Sequence, residues 1–325
     1  MKYDLSVVAN PTRGVDYPGT YQQLLEWFPD DAACLEYLAG LRWPDGFSCP
    51  DCGHGESWRT AQGLWMCKEC AKRTSVTAGT IFHRTRTPLS TWFAAIWFLT
   101  SQKNGMSALG LQRVLGFGSY ETAWAWLHKL RRAMVRPERD KLRGIVELDE
   151  TMVGGVSAGK PGASSDKVPV MIAVERNGTR KLGRIRLAVA QRPNTGELVE
   201  WACQVIEPGS TVRTDGARTL RRLARLGYTH EYTTGYEAED KTSVLPGVHL
   251  VASLMKRWLI GTLHYRVEAH QLPYYLDEYT FRFNRRTAKA RGLLFYRLLE
   301  QAVVTDPHPL SELLNPGEPE IPDFT

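Results

Sequence analysis

Four cysteines stand in two pairs, Cys49-Pro-Asp-Cys52 and Cys67-Lys-Glu-Cys70, with fourteen residues between the pairs. Two such knuckles set four thiolates around one tetrahedral zinc, at close to the spacing that zinc ribbons use. Two disulfides are the alternative, and they require an oxidising compartment. A redox Cys-x-x-Cys requires only one pair. Zinc is therefore the expected ligand, and His54 is left as a surface residue because four thiolates complete the shell. Cys34 and Cys203 have no partners and read as small buried hydrophobes. A second set is acidic. Asp149 falls inside an alternating apolar–polar run, and Asp215 ends a short one just before Gly216. Carboxylates at strand ends are well placed to share a divalent cation. Two Mg²⁺ ions bridged by such carboxylates activate a water and stabilise the leaving oxygen of a phosphodiester. On spacing alone, ordinary aspartates beside turns fit them better.

The elements that must position these groups follow from hydrophobic period and punctuation. Tyr21 to Phe28 and Asp31 to Leu41 read as amphipathic helices, and Trp43-Pro44-Asp45-Gly46 as a turn into the ribbon, which ends near Phe82. Pro88 opens a helix with Trp92, Ala95, Ile96 and Leu99 at helical spacing. A second helix fits Ala108 to Leu115. Gly116-Phe117-Gly118 makes a tight turn, and Ser119 caps a third helix with its stripe at Tyr120, Ala123, Leu127, Leu130 and Met134. This is the order of a helix-turn-helix, and His128, Lys129, Arg131 and Arg132 lie off the stripe, available to phosphates or bases. A generic helical bundle is the alternative. After the hinge Pro137-Glu138-Arg139-Asp140 the period becomes strand-like. Ile145 to Met152 sets Val146 and Leu148 on one face and Glu147, Asp149 and Thr151 on the other. Val168 to Glu175 and Arg184 to Ala190 are the next strands. Gly196 to Val205 fits a helix, Thr211 to Asp215 a short strand, Leu220 to Ala224 a helix, and Tyr228 to Thr233 a last strand. Helix follows from Gly247 to Gly261, then a basic, aromatic helical tail from Leu272 to Val304. The sum is an α/β layout with a mixed sheet.

The 325 residues suffice for two or three domains. At 43% hydrophobic and 23% charged residues the chain reads as globular. Its longest apolar run, Trp92 to Leu99, is too short to span a bilayer, and Met1-Lys2-Tyr3-Asp4 opens no apolar signal core, so membrane residence and export are not expected. The net charge is +6, yet the segment Ala71 to Val146 alone holds thirteen Lys or Arg against three acidic residues. A basic stretch just after a zinc ribbon points to nucleic acid.

Longer strings are more specific. Val146-Glu147-Leu148-Asp149-Glu150-Thr151 with Gly154-Gly155, and Val212-Arg213-Thr214-Asp215-Gly216, resemble the first two catalytic motifs of zinc-ribbon, ISXO2-like insertion-sequence transposases. His249 to Leu259 with Gly261-Thr262 resembles a later motif. Tyr275-Leu276-Asp277-Glu278-Tyr279 and Phe281-Arg282-Phe283-Asn284-Arg285-Arg286 resemble that family's C-terminal signature. Upstream, Cys34-Leu35-Glu36-Tyr37-Leu38, Leu41-Arg42-Trp43-Pro44-Asp45-Gly46 and the ribbon fit as well, so the resemblance covers nearly the whole chain.

The resemblance implies an RNase H-like catalytic domain of the DDE type, with Asp149 and Asp215 in the first two acidic positions. Family members carry Glu or Asn at the third, seven residues before a basic one; here Lys256 fits the basic position and His249 stands at the third. Imidazole suits Mn²⁺ somewhat better than Mg²⁺, and it can orient a water or take its proton. Glu239 and Asp240 are acidic substitutes nearby. Lys256 is read as a contact to DNA phosphate, Glu147 and Glu150 as supporting residues, and Arg282, Arg285 and Arg286 as backbone contacts. The implied organisation is a helical segment (1–42), the ribbon (43–82), a helix-turn-helix-like domain (83–140), the catalytic domain (141–270) and a helical tail (271–325). The implied protein is a cytoplasmic, nucleoid-associated bacterial transposase. It binds terminal inverted repeats of double-stranded DNA, cuts and rejoins with Mg²⁺ or Mn²⁺, carries structural Zn²⁺ and works as a homo-oligomer on DNA. Two alternatives stand beside it: a catalytically decayed, DNA-binding descendant, which His249 favours, and a zinc-ribbon transcription factor with a ligand-binding C-terminal domain.

Overall fold

The computed structural model describes residues 11–136, 139–154, 167–178, 181–191, 195–233, 244–263 and 269–314. The chain divides into two compact units, residues 1–136 with 288–325 and residues 137–287.

The first unit opens with α1 (Tyr21–Trp27) and α2 (Asp31–Arg42). Thr20 caps α1 by accepting from the Gln23 amide, and Asp30 caps α2 by accepting from that of Ala33. The ribbon follows as an antiparallel sheet of three short strands, β1 (Ser57–Arg59), β2 (Trp65–Cys67) and β3 (Arg73–Thr74). Each knuckle closes on a left-handed residue after its second cysteine. Gly53 (φ +73°) donates to the Cys49 carbonyl, and Ala71 (φ +56°) to that of Cys67. A methyl side chain in this region costs about 1 kcal/mol, which glycine avoids. Ala71→Gly is therefore expected to raise the melting temperature of the zinc-loaded chain by a few degrees, about 1 kcal/mol in thermal denaturation.

α3 (Leu89–Ser101), α4 (Ala108–Leu115) and α5 (Tyr120–Ala133) complete the helical set, with Gly116 ending α4 in the left-handed region and Ser119 capping α5 through the Glu121 amide. Trp92 of α3 stacks on Trp126 of α5 at 3.4 Å between centroids.

In the second unit β4 (Ile145–Val153), β5 (Val168–Asn177) and β6 (Lys181–Val189) form an antiparallel meander. α6 (Thr195–Val205) leads to β7 (Thr211–Thr214), a 3₁₀ segment (Arg218–Leu226) leads to β8 (Thr229–Tyr232), and α7 (Pro246–Leu263) follows. The five-stranded sheet is ordered β6-β5-β4-β7-β8, with β7 parallel to both neighbours. Helices cover both faces. Val170, Ile172, Val174, Ile185 and Leu187 pack against α7 and α8 (Leu272–Asn284). Val146, Leu148, Met171, Ala173 and Val212 pack against α6 and the 3₁₀ segment. The mixed sheet and the element order agree with the sequence pattern.

The helical stretch from Leu272 to Val304 is divided. α8 belongs to the second unit, whereas α9 (Arg291–Ala302) and α10 (Leu310–Leu314) return to the first. The end of α8 seals the edge strand β6. Asn284 accepts from the Ile185 amide at 2.7 Å and donates to the Ile185 carbonyl at 3.1 Å, and Arg286 donates to the carbonyls of Leu182 and Gly183. An open strand edge invites pairing with another chain, and these side chains occupy it.

Candidate functional site

Two sites are built from the residues singled out by type and spacing. In the ribbon, the Sγ atoms of Cys49, Cys52, Cys67 and Cys70 all lie within 4.8 Å of one another. Cys49 and Cys70 are 3.5 Å apart, Cys52 and Cys67 3.6 Å, and Cys52 and Cys70 3.4 Å. A tetrahedral zinc with bonds of about 2.3 Å needs sulfur–sulfur edges of about 3.8 Å, so these four thiols fit the ion with little movement. Cys49 and Cys67 are buried while Cys52 and Cys70 are exposed, leaving one side of the cluster open to entry.

In the second unit, β4 and β7 run parallel with Ile145 opposite Thr211, Val146 opposite Val212 and Glu147 opposite Arg213. Continuing that register by two residues sets Asp149 level with Asp215, which stands just beyond the last residue of β7. Neighbouring strands lie about 4.8 Å apart, and residues level in a parallel ladder face the same side. Asp149 therefore turns away from Val146 and Leu148, toward the face that α7 covers. Burial first, and then the charges of Asp215 and Glu150, push the Asp149 carboxyl up to about 6, against the Glu150 amide that hydrogen-bonds to it and the charge of His249. Its Oδ1 accepts the Glu150 amide at 2.8 Å, and Asp215 Oδ1 accepts that of Ala217 at 3.1 Å. Two mutually repelling carboxylates, each with an oxygen left for a ligand, suit a shared cation. Among the described residues no three His, Cys, Asp or Glu ligand atoms besides the four thiols close to within 4.8 Å.

His249 lies exposed in the first turn of α7 and is close enough to Asp149 for its charge to be felt there. Lys256, two turns on, donates from Nζ to Thr151 Oγ1 at 2.8 Å, so its helix face looks onto β4 as the spacing of seven requires. The structure thus brings Asp149, Asp215, His249 and Lys256 to one face of the sheet. Glu239 and Asp240 lie outside the described residues.

Several basic residues take other places. Arg131 is 2% exposed and His128 fully buried, because α5 packs against α3, α4 and α9 over much of its circumference. Neither is open to a phosphate; Lys129 and Arg132 are half-buried. Arg282 holds the buried Glu278 at 2.8 Å. Arg285 lies 4.0 Å over the Phe281 ring, and Arg286 lies over Phe283 while it seals the β6 edge. Of these arginines Arg282 is engaged by a buried carboxylate, whereas Arg285 is half-buried and Arg286 exposed. Sequence reading also left Glu147 as mere support, although its side chain is 3% exposed and binds α7 directly. Strand parity was the available signal, since 147, 149 and 151 share a face.

Residues 141–284 match the model of the ISXO2-like transposase domain, and residues 29–73 that of the transposase zinc-ribbon domain. An uncharacterised protein in transposable element ISH50 of Halobacterium salinarum is 26% identical over 294 residues, covering 79% of this chain and 92% of the relative.

Proposed function

The chain belongs to the insertion-sequence transposases that join a transposase zinc-ribbon domain to an ISXO2-like transposase domain, and from that premise we propose that it cuts and rejoins DNA at the ends of its own element. The observations that carry this are the parallel register of β4 and β7, which continued by two residues sets Asp149 level with Asp215 just beyond β7, and the charge of Asp215 felt at Asp149, in a sheet whose order and mixed directions support an RNase H-like reading of the second unit. A divalent cation held there, Mg²⁺ or Mn²⁺, would supply Lewis-acid activation of the attacking oxygen and neutralise charge at the scissile phosphate.

The chain's own residues do the rest. Asp149 and Asp215 would hold the cation through the carboxylate oxygens that do not accept the Glu150 and Ala217 amides. His249, exposed in the first turn of α7, stands where it can take a proton at an imidazole nitrogen. Lys256, already on the same face, meets the phosphate backbone beside the reacting group. Hydrolysis of the phosphodiester at the element end frees a 3′ hydroxyl, and that hydroxyl attacks a phosphate of target DNA in line, forming a new P–O bond as the target's own P–O3′ bond breaks and its 3′ oxygen leaves as a hydroxyl. No covalent protein–DNA link is needed, so no serine or tyrosine nucleophile is assigned. The zinc ribbon and the α4–α5 pair recognise the terminal repeats, with the half-buried Lys129 and Arg132 of α5 as phosphate contacts. Holding two ends and a target calls for at least two chains on DNA.

The test is incubation of the full chain with duplex DNA carrying the inverted repeats that flank its gene, with Mg²⁺, with Mn²⁺ or with chelator. Strand nicks at the repeat boundary that require metal are expected. Bound ends without nicks in either metal would leave a DNA-binding protein that has lost its chemistry.

A further inference from the structure

Glu147 lies one strand repeat before Asp149 on the same face of β4. Its Oε2 accepts the amides of Gly247 at 2.6 Å and Val248 at 3.0 Å, and its Oε1 faces Arg176 Nη1 at 3.2 Å. Those amides belong to the first turn of α7, where N–H groups have no partner within the helix and the helix dipole favours a negative charge. A Cβ on Gly247 would stand 2.7 Å from both Glu147 Oε2 and Arg176 Nη1, so any larger residue there displaces these two side-chain ends. Further along the same strand face, Thr151 accepts from Lys256. Residues 147 and 151 are thus both bound to α7, and Asp149 between them faces the helix that carries His249.

We propose that Glu147 is a positioning residue. With Arg176 it fixes the first turn of α7, and so sets His249 at the level of Asp149. This rests on the reading of Asp149 and Asp215 as the cation-holding pair. Glu147 touches neither cation nor DNA and acts only through the helix.

The test uses the full chain with Glu147→Gln, which keeps the shape without the charge, and Glu147→Ala, which keeps neither. Amide hydrogen exchange of the metal-free protein is the first readout. Gly247 and Val248 are expected to lose about tenfold or more of their protection in Glu147→Ala and less in Glu147→Gln, with later turns of α7 unchanged. Single-turnover cleavage of end-containing duplex is the second. The rate is expected to fall about a hundredfold in Glu147→Ala and about tenfold in Glu147→Gln, the size of effect a displacement near 1 Å produces, while DNA affinity stays at the parent's value. Gly247→Ala is expected to match Glu147→Ala, and the double variant to be no slower than either, because both displace one contact. Parent-like exchange in both Glu147 variants, or parent-like cleavage in both, overturns the proposal. If Glu147→Ala does not fold, Glu147→Gln carries both readouts. If the parent does not cleave, the proposed reaction falls, and the exchange comparison alone decides whether Glu147 sets the turn.

Discussion

Alanine at Asp149 or at Asp215 is expected to remove metal-dependent nicking by roughly a thousandfold or more, the several kcal/mol that a correctly held cation contributes, while binding of element ends is retained. Each carboxylate supplies an oxygen that the backbone does not use up, and neither belongs to the helices or ribbon assigned to end recognition. Single-turnover nicking and a gel-shift titration on the same DNA separate the two effects. Nicking retained by either variant would dissolve the pair. Asp149→Asn sharpens the comparison through stability. The parent carboxyl is raised from its ordinary value to about 6 in the folded chain, by burial first. A carboxyl with a raised folded value binds its proton more tightly in the native state, so parent stability falls as pH rises from about 4 to above 6. Asn keeps the acceptor for the Glu150 amide and carries no charge. In metal-free buffer, Asp149→Asn is therefore expected to be more stable than the parent by about 3 kcal/mol at pH 7, with the gap closing toward pH 4.

Much of this geometry was legible in the chain because strand parity and helix period are local. The alternation from Ile145 to Met152 set Asp149 opposite Val146 and Leu148, and β4 forms with that facing. The spacing of His249 and Lys256 set both on one helix face, and Lys256 meets Thr151. What local pattern does not carry is which charges are consumed by packing. Arg131 stands off the apolar stripe of α5, yet the helix is enclosed on more than one side and Arg131 is buried. Arg282 reads as part of a cationic surface, but it neutralises a buried Glu278. Glu147 is the converse case. Strand parity sets it, unlike Glu150, on the face of Asp149, but its role depends on an amide a hundred positions later.

Removal of zinc is expected to unfold the ribbon outright. The ribbon's sheet has strands of three, three and two residues, too few ladder bonds to stand alone. Its apolar centre is small: Trp43 packs on Trp65 at 5.2 Å between centroids, and Arg59 lies 3.6 Å over Trp65. At its heart four sulfurs crowd to within 4.8 Å of one another, and as thiolates they repel unless a cation joins them. Structural zinc supplies about 10–16 kcal/mol in peptides of this kind, more than the whole stability of an ordinary domain. The full chain should therefore release about one zinc per chain on thiol modification, consistent with one four-thiolate site. Chelation should abolish the near-ultraviolet circular dichroism of Trp43 and Trp65 and the binding of element ends. Cys67→Ser, at a fully buried ligand, should do the same without chelator. The five-stranded sheet draws no strand from the ribbon and should keep its own melting transition. A chain purified without reductant that holds no zinc and weighs four hydrogens less than its sequence would establish two disulfides instead, and would leave end recognition to the helices alone.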